Sequence, residues 1–214
     1  AFSLVAGVPT KLWEQQLSPI LFSAPVLVRN DKRNLIVVAT HQQELMALSA
    51  KTGALVWQRP QTKTLFASPL GADLNDDGST DIITLSHDGE LSAYQGHNGK
   101  ILWQQTLAAE VQGSPLLFDF NLDQSADIVV LDSTGKLHII NGRNGEFLIE
   151  GKTLGDSFVV SPLLGDLNGN GQVELINISQ EGQLTSYTLN RRLHNDQQRW
   201  PVLLGNEEHR YLAQ

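Results

Sequence analysis

Two markers recur along the 214 residues with one period, and together they limit the possible folds more than any other feature. Pro25, Pro69, Pro115 and Pro162 are 44, 46 and 47 residues apart. Each opens a short apolar run: Ala24-Pro25-Val26-Leu27, Ser68-Pro69-Leu70, Ser114-Pro115-Leu116-Leu117 and Ser161-Pro162-Leu163-Leu164. Trp13, Trp57, Trp103 and then Ile149 follow at intervals of 44, 46 and 46. Two independent markers in phase define a tandem repeat.

Each repeat reads as four short strands. The run after proline is the first, and a polar loop leads to a compact apolar second strand: Leu35 to Ala39, Ile82 to Leu85, Ile128 to Leu131 and Leu175 to Ile178. These second strands are apolar on both faces, as suits strands sandwiched between neighbouring sheets. Turns such as His87-Asp88-Gly89-Glu90 and Ser133-Thr134-Gly135-Lys136 lead to third strands at Leu91 to Tyr94 and Leu137 to Ile140. Further turns, Lys51-Thr52-Gly53 and His97-Asn98-Gly99, lead to fourth strands ending near the Trp. Glycine and asparagine supply the positive φ that such hairpins need. Helical periodicity is absent over any long window. Four strands per ~40–50 residues in tandem is the signature of an all-β fold, a β-propeller of four-stranded antiparallel blades.

The blades are expected at 24–67, 68–113, 114–160 and 161–214, with an N-terminal half blade at 1–20. Arg199 to Leu204 is the expected fourth strand of the last. Eighteen strands do not divide evenly into four-stranded blades, so the chain reads as a single propeller domain that is part of a larger ring. The competing view is a closed four-bladed ring with surplus terminal strands.

The net charge of −8 argues against general affinity for nucleic acid or anionic membranes. No apolar run approaches the ~20 residues of a membrane helix. With no cysteine, disulfides, thiolate metal sites and a cysteine nucleophile are excluded. The chain begins at Ala1 without a basic-then-apolar leader, as expected if a signal peptide has been removed or lies upstream.

The acidic residues concentrate in the loops between first and second strands. The second repeat reads Asp73-Leu74-Asn75-Asp76-Asp77-Gly78-Ser79-Thr80-Asp81, with side-chain oxygens at loop positions 1, 3, 5 and 9 and glycine at 6. Calcium takes six to eight oxygen ligands, and alternate residues of a tight coil can supply them, Ser79 through its carbonyl. Gly78 permits the left-handed turn that brings Asp81 back to the ion. The third repeat offers Asp119, Asn121, Asp123, Ser125 and Asp127, with Gln124 in place of the glycine at a cost of ~1–2 kcal/mol. The fourth offers Asp166, Asn168, Asn170, Gln172 and Glu174 with Gly171 retained. The first, Arg29-Asn30-Asp31-Lys32-Arg33-Asn34, cannot hold a cation in this way. Up to three Ca2+ ions are expected. Ordinary polar Asx turns are the alternative, and three loops in register at one point of a repeat weigh against it.

The D-x-N-x-D-G-x-x-D loop running into an apolar strand resembles the FG-GAP (VCBS-type) repeats, including those of integrin α-subunit propellers, although Ser-Pro-Leu replaces their Phe-Gly and Gly-Ala-Pro signatures. Ala47-Leu48-Ser49-Ala50-Lys51-Thr52-Gly53-Ala54-Leu55-Val56-Trp57 resembles the repeat of pyrroloquinoline-quinone dehydrogenase propellers and their non-catalytic relatives. Ala93-Tyr94-Gln95-Gly96-His97-Asn98-Gly99-Lys100-Ile101-Leu102-Trp103 is a second copy. Trp200-Pro201 to Asn206 is similar to a Trp-Pro segment found beside such propellers in secreted bacterial proteins.

No catalytic constellation stands out. The phased tryptophans read as blade-to-blade packing rather than cofactor stacking. Among the histidines, His87 and His97 are expected to be exposed and His138 buried; no pair has metal-ligand spacing. The serines lack a G-x-S-x-G context. Asn177-Ile178-Ser179 fits the N-glycosylation pattern but falls in an expected buried strand. Arg191, Arg192 and Arg199 read as a solvated turn that interrupts the repeat. The sequence therefore points to a calcium-stabilised, non-enzymatic propeller outside the cytoplasm, periplasmic, secreted or at the cell surface. It would bind a protein or glycan partner through the loops of one face, or further blades from the same or another chain. A fragment of a quinone-dependent dehydrogenase and an envelope assembly factor are the alternatives.

Overall fold

The computed structural model of the protein describes residues 2–5, 8–19, 24–29, 33–65, 67–155, 157, 158 and 160–192. Every regular element among them is a β-strand. The chain divides into two compact units: Ala1–Ser86 with Leu91–Gln104, and His87–Glu90 with Gln105–Gln214.

The first unit opens with an antiparallel hairpin of β1 (Phe2–Val5) and β2 (Val8–Lys11). A four-stranded meander follows: β3 (Val26–Val28), β4 (Leu35–Thr40), β5 (Glu44–Ser49) and β6 (Leu55–Pro60). A second meander is built from β7 (Leu70–Ala72), β8 (Asp81–Leu85), β9 (Glu90–Tyr94) and β10 (Ile101–Thr106), with β9 and β10 mostly in this unit. The core joins Val28, Leu35, Val37, Leu45 and Trp57 to Ile82 and Tyr94 of the second sheet. All five residues of β8 are buried, as expected for a strand apolar on both faces.

The repeat markers mark contacts between successive sheets. The Trp57 ring lies over Gly99, where an added Cβ would come within 2.8 Å of the ring, and Trp57 Nε1 donates to Gly96 O at 2.9 Å. Trp13 repeats the arrangement over Gly53, with Nε1 donating to Ala50 O at 2.9 Å. Glycine is required twice over at Gly99, by the ring and by its φ of 70°. The serine of Ser68-Pro69 links repeats as well, because its Oγ accepts the Ala24 amide of the preceding repeat at 2.8 Å.

The second unit repeats the plan. β11 (Leu116–Phe118), β12 (Asp127–Leu131), β13 (Lys136–Ile140) and β14 (Phe147–Thr153) form the third meander. β15 (Leu163–Gly165), β16 (Gln172–Ile178) and β17 (Leu184–Arg192) form a three-stranded sheet. Leu116, Val129, Leu131, Leu137 and Ile139 pack with Leu164, Val173 and Leu175 in one core. Ser161 Oγ accepts the Ser114 amide at 2.8 Å, repeating the serine link. Successive four-stranded antiparallel meanders packed in this manner are β-propeller blades. The expected fourth strand at Arg199 to Leu204, the Trp200-Pro201 segment, His194 and His209 lie outside the described residues.

Two expectations need correction. Arg191 does not lie in a solvated turn: β17 runs on to Arg192, and the Arg191 guanidinium lies 4.6 Å from the centroid of the Phe120 ring. His87 and His97 are half-buried rather than exposed; His87 Nδ1 meets Val111 O at 3.0 Å and His97 Nε2 meets Asn98 Nδ2 at 2.9 Å. Asn177 is buried in β16, which places the glycosylation pattern out of reach.

Candidate functional site

The three acidic loops fold alike. The position-1 aspartate gathers the amides of positions 5 and 6. Asp73 accepts from Asp77 N at 3.2 Å and Gly78 N at 2.9 Å; Asp119 accepts from Asp123 N at 3.1 Å and Gln124 N at 2.9 Å. Asp166 accepts from Asn170 N at 3.1 Å and Gly171 N at 2.7 Å. The position-3 asparagines Asn75, Asn121 and Asn168 each accept the position-5 amide, at 3.0, 2.9 and 3.0 Å. At position 5, Asp77, Asp123 and Asn170 take the amides of Ser79, Ser125 and Gln172 at 2.8, 2.9 and 2.7 Å. Alternate side chains thus turn inward onto one coil, as their spacing in the sequence implied.

In the second and third blades position 9 ties the loop to the rest of its blade. Asp81 is fully buried; its Oδ2 accepts the Leu74 amide at 3.2 Å and its Oδ1 the Gly96 amide at 3.3 Å. Asp127, also buried, takes Phe120 N at 2.8 Å, Asn121 N at 3.2 Å and Gly142 N at 3.2 Å. Each acid clips its loop to the third-to-fourth-strand turn of the same blade. A Cβ on Gly96 would overlap Thr80 O, so the clip requires glycine there. The signal was present in the sequence: Asp81 pairs with Gly96 and Asp127 with Gly142, whereas the first repeat has Leu35 with Ala50 and the fourth Glu174 with Leu189. Burial pushes the Asp81 carboxyl up to about 7 against the opposing Leu74 and Gly96 amides. Burial likewise pushes Asp127 up to about 6. A cation beside either would favour the ionised form and reverse the shift.

Two left-handed positions shape each coil, one more than the sequence suggested. Position 6 is Gly78, Gln124 or Gly171, at φ 76°, 71° and 77°. Position 4 is Asp76, Leu122 or Gly169, at φ 58°, 64° and 72°.

The loops differ in how well they suit calcium. The sequence of 73–81 supplies Asp73, Asn75, Asp77 and Asp81 and the Ser79 carbonyl as hard-oxygen donors, their side-chain oxygens turned onto backbone amides, and the buried Ser79 Oγ has no hydrogen-bond partner. In 166–174 the position-9 acid is the longer Glu174, which turns both oxygens back onto its own loop, Oε2 to Leu167 N at 2.9 Å and Oε1 to Asn168 Nδ2 at 3.2 Å, whereas Asp81 and Asp127 reach Gly96 and Gly142. In 119–127 the Arg143 guanidinium lies against Asp123. Among the described residues no three His, Cys, Asp or Glu side chains converge as a metal cluster, so amide and carbonyl oxygens would complete any coordination shell.

A second polar cluster lies in the third blade. His138, buried on β13, meets Asp132 Oδ2 through Nε2 at 2.8 Å and accepts the Gly151 amide on Nδ1 at 3.2 Å. The amide on Nδ1 fixes the proton on Nε2, so a neutral imidazole donates to an ionised Asp132. Burial works against that charge, and bonds from His138, Thr134 and Lys136 outweigh it, holding the Asp132 carboxyl below its usual range. Thr134 Oγ1 donates to Asp132 Oδ1 at 2.7 Å, closing the network within the blade.

The family of the outer membrane protein assembly factor BamB matches the sequence over residues 8–201. The chain belongs to this family. No curated protein matches it. Among solved structures, BamB from Moraxella catarrhalis is 18% identical with a TM-score of 0.50, covering 72% of this BamB-family chain and 45% of its own. BBS1N in complex with ARL6DN is 12% identical with a TM-score of 0.58, covering 83% and 57%. The quinohemoprotein alcohol dehydrogenase of Comamonas testosteroni is 14% identical with a TM-score of 0.52, covering 74% and 32%. The chain thus spans little more than half the length of these structures at most, and the likeness shows the propeller fold.

Proposed function

We propose that this BamB-family chain is a calcium-stabilised, non-enzymatic propeller that binds protein partners in the cell envelope through its blade loops. The observation that carries the binding role is the family match across residues 8–201, in a family described as an outer membrane protein assembly factor. Blades that present loops suit binding: the strands fix the loop bases, and the loops are free to vary. BBS1N, with the same fold, is seen in complex with a protein, ARL6DN. The test is affinity capture from solubilised outer membranes with the purified chain. Stoichiometric, saturable recovery of an outer-membrane protein or its assembly machinery supports the reading; recovery no greater than with a heat-denatured control contradicts it.

Calcium is proposed first for the loop 73–81, which combines three aspartates with glycine at position 6, where 119–127 has Gln124 and 166–174 has Asn170 and Glu174 among its donors. Bound there, the ion would offset two of the three charges of Asp73, Asp77 and the buried Asp81 and tie the loop to the blade that Asp81 already clips. A second reading, a segment of a quinone-dependent enzyme, draws on the fold likeness to the quinohemoprotein dehydrogenase. It predicts a quinone chromophore retained on purification, and an absorption spectrum without one counts against it.

A further inference from the structure

The loops 73–81 and 119–127 share a backbone plan but differ in what meets the position-5 carboxylate. Asp77 uses Oδ1 for the Ser79 amide. Asp123 is surrounded. Its Oδ1 takes the Ser125 amide at 2.9 Å with Arg143 Nε at 3.5 Å, and its Oδ2 takes Asn121 Nδ2 at 2.8 Å and Asn141 Nδ2 at 3.4 Å. Arg143 Nη2 also donates to the Asp123 carbonyl at 3.1 Å. One guanidinium therefore grips both the side chain and the backbone of the residue that a calcium ion would need.

We propose that Arg143 is the resident cation of the third-blade loop, which closes on a guanidinium where the second-blade loop takes a metal ion. The repeat supports the assignment. Arg143 follows Gly142 in the third-to-fourth-strand turn, the position held by His97 after Gly96. His97 turns its Nε2 to Asn98 Nδ2 at 2.9 Å rather than to Asp77. In the first blade Lys51 holds that position above a loop that has Leu35 in place of the position-9 acid; in the fourth it is Asn190. Burial pushes the Asp123 carboxyl up, and the Ser125 amide, Asn121 and Arg143 outweigh it, so the group stays below its usual range and ionised. Guanidinium suits this place because its rigid planar fork presents separate N–H groups to a carboxylate and a carbonyl at once, where a lysine ammonium is a single point of charge. A calcium ion at Asp123 would have to displace it.

The inference rests on the calcium reading for the second-blade loop, and the experiment separates the two. Metal-stripped chain of the full 214 residues is titrated with calcium chloride by calorimetry, as wild type, Asp77→Asn, Asp123→Asn, Arg143→Ala and Arg143→Ala/Asp123→Asn. In the expected result Asp77→Asn removes a wild-type site and Asp123→Asn leaves calcium binding within about twofold of wild type. Arg143→Ala gains one site, which Asp123→Asn then removes. A tenfold loss of wild-type affinity on Asp123→Asn, or no gain in Arg143→Ala, overturns the proposal. Should wild type bind no calcium, the calcium reading falls, and the four-member cycle of Arg143 and Asp123 is measured by urea unfolding. Coupling of about threefold in the unfolding constant upholds Arg143 as the loop's cation, and additive effects overturn it.

Discussion

Leu122 and Gln124 hold left-handed backbone at φ 64° and 71°, where the fourth-blade loop has Gly169 and Gly171. Each L side chain costs about 1–2 kcal/mol in that conformation. Leu122→Gly and Gln124→Gly should therefore each stabilise the protein by about 1 kcal/mol, less the freedom glycine adds to the unfolded chain, as urea unfolding would register. The buried acids give a signed pH dependence. Asp81 has a folded value of about 7 against an unfolded value near 3.8, so the folded protein binds the extra proton between those limits. Its contribution is complete below the unfolded value and is lost as pH rises through about 7, so stability of the metal-free protein should increase from pH 7.5 to pH 5. Asp81→Asn should flatten that slope. Asp132, held low by His138 and its amides, has the opposite sign: its contribution is present above the unfolded value and disappears as the pH falls below it. An unfolding free energy that decreases steadily from pH 7.5 to 5 would contradict the assignment of Asp81.

At the level of strands and turns, the tryptophan-over-glycine contact is the part most open to single substitutions. Gly99→Ala meets both the Trp57 ring and a φ of 70°, whereas Gly78→Ala meets open space at a φ of 76°. The first should cost about 2–4 kcal/mol and the second about 1, and equal losses would show that the ring contact adds nothing. Trp57→Ala, which empties a buried site, should cost about 3–5 kcal/mol. Much of this level was legible in the sequence, because a contact made once per blade leaves periodic residues: Pro25, Trp57 and Gly99 mark first strands, fourth strands and turns. The internal coil of each loop was legible too, since Asx spacing and hydrogen bonding share one period. Hidden were contacts that join residues from different turns. The Asp81 to Gly96 clip, Arg143 on Asp123 and Arg191 over Phe120 each link positions 15 to 71 residues apart, and only comparison of repeats hints at the first. The position-4 left-handed residues leave no mark in the sequence, because Asp76 and Leu122 are not glycine.

For the molecule as a whole, nine of the 23 acidic residues lie in the three loops, and the remainder of the chain is nearly neutral. The acidity belongs to three places rather than to the surface at large, and Arg143 offsets part of it in one of them. With a Kd near 10⁻⁴ M, a filled loop would add about 1.4 kcal/mol at about 1 mM free calcium, which shifts Tm by roughly 3 °C in a chain of this size. The deciding measurement is the thermal melt of metal-stripped protein with 1 mM calcium chloride, with 1 mM magnesium chloride and with neither, in wild type and Asp77→Asn. Calcium should raise the wild-type Tm by several degrees, magnesium should not, and Asp77→Asn should abolish most of the gain. Superimposable melts with and without calcium in the wild type would contradict the calcium reading.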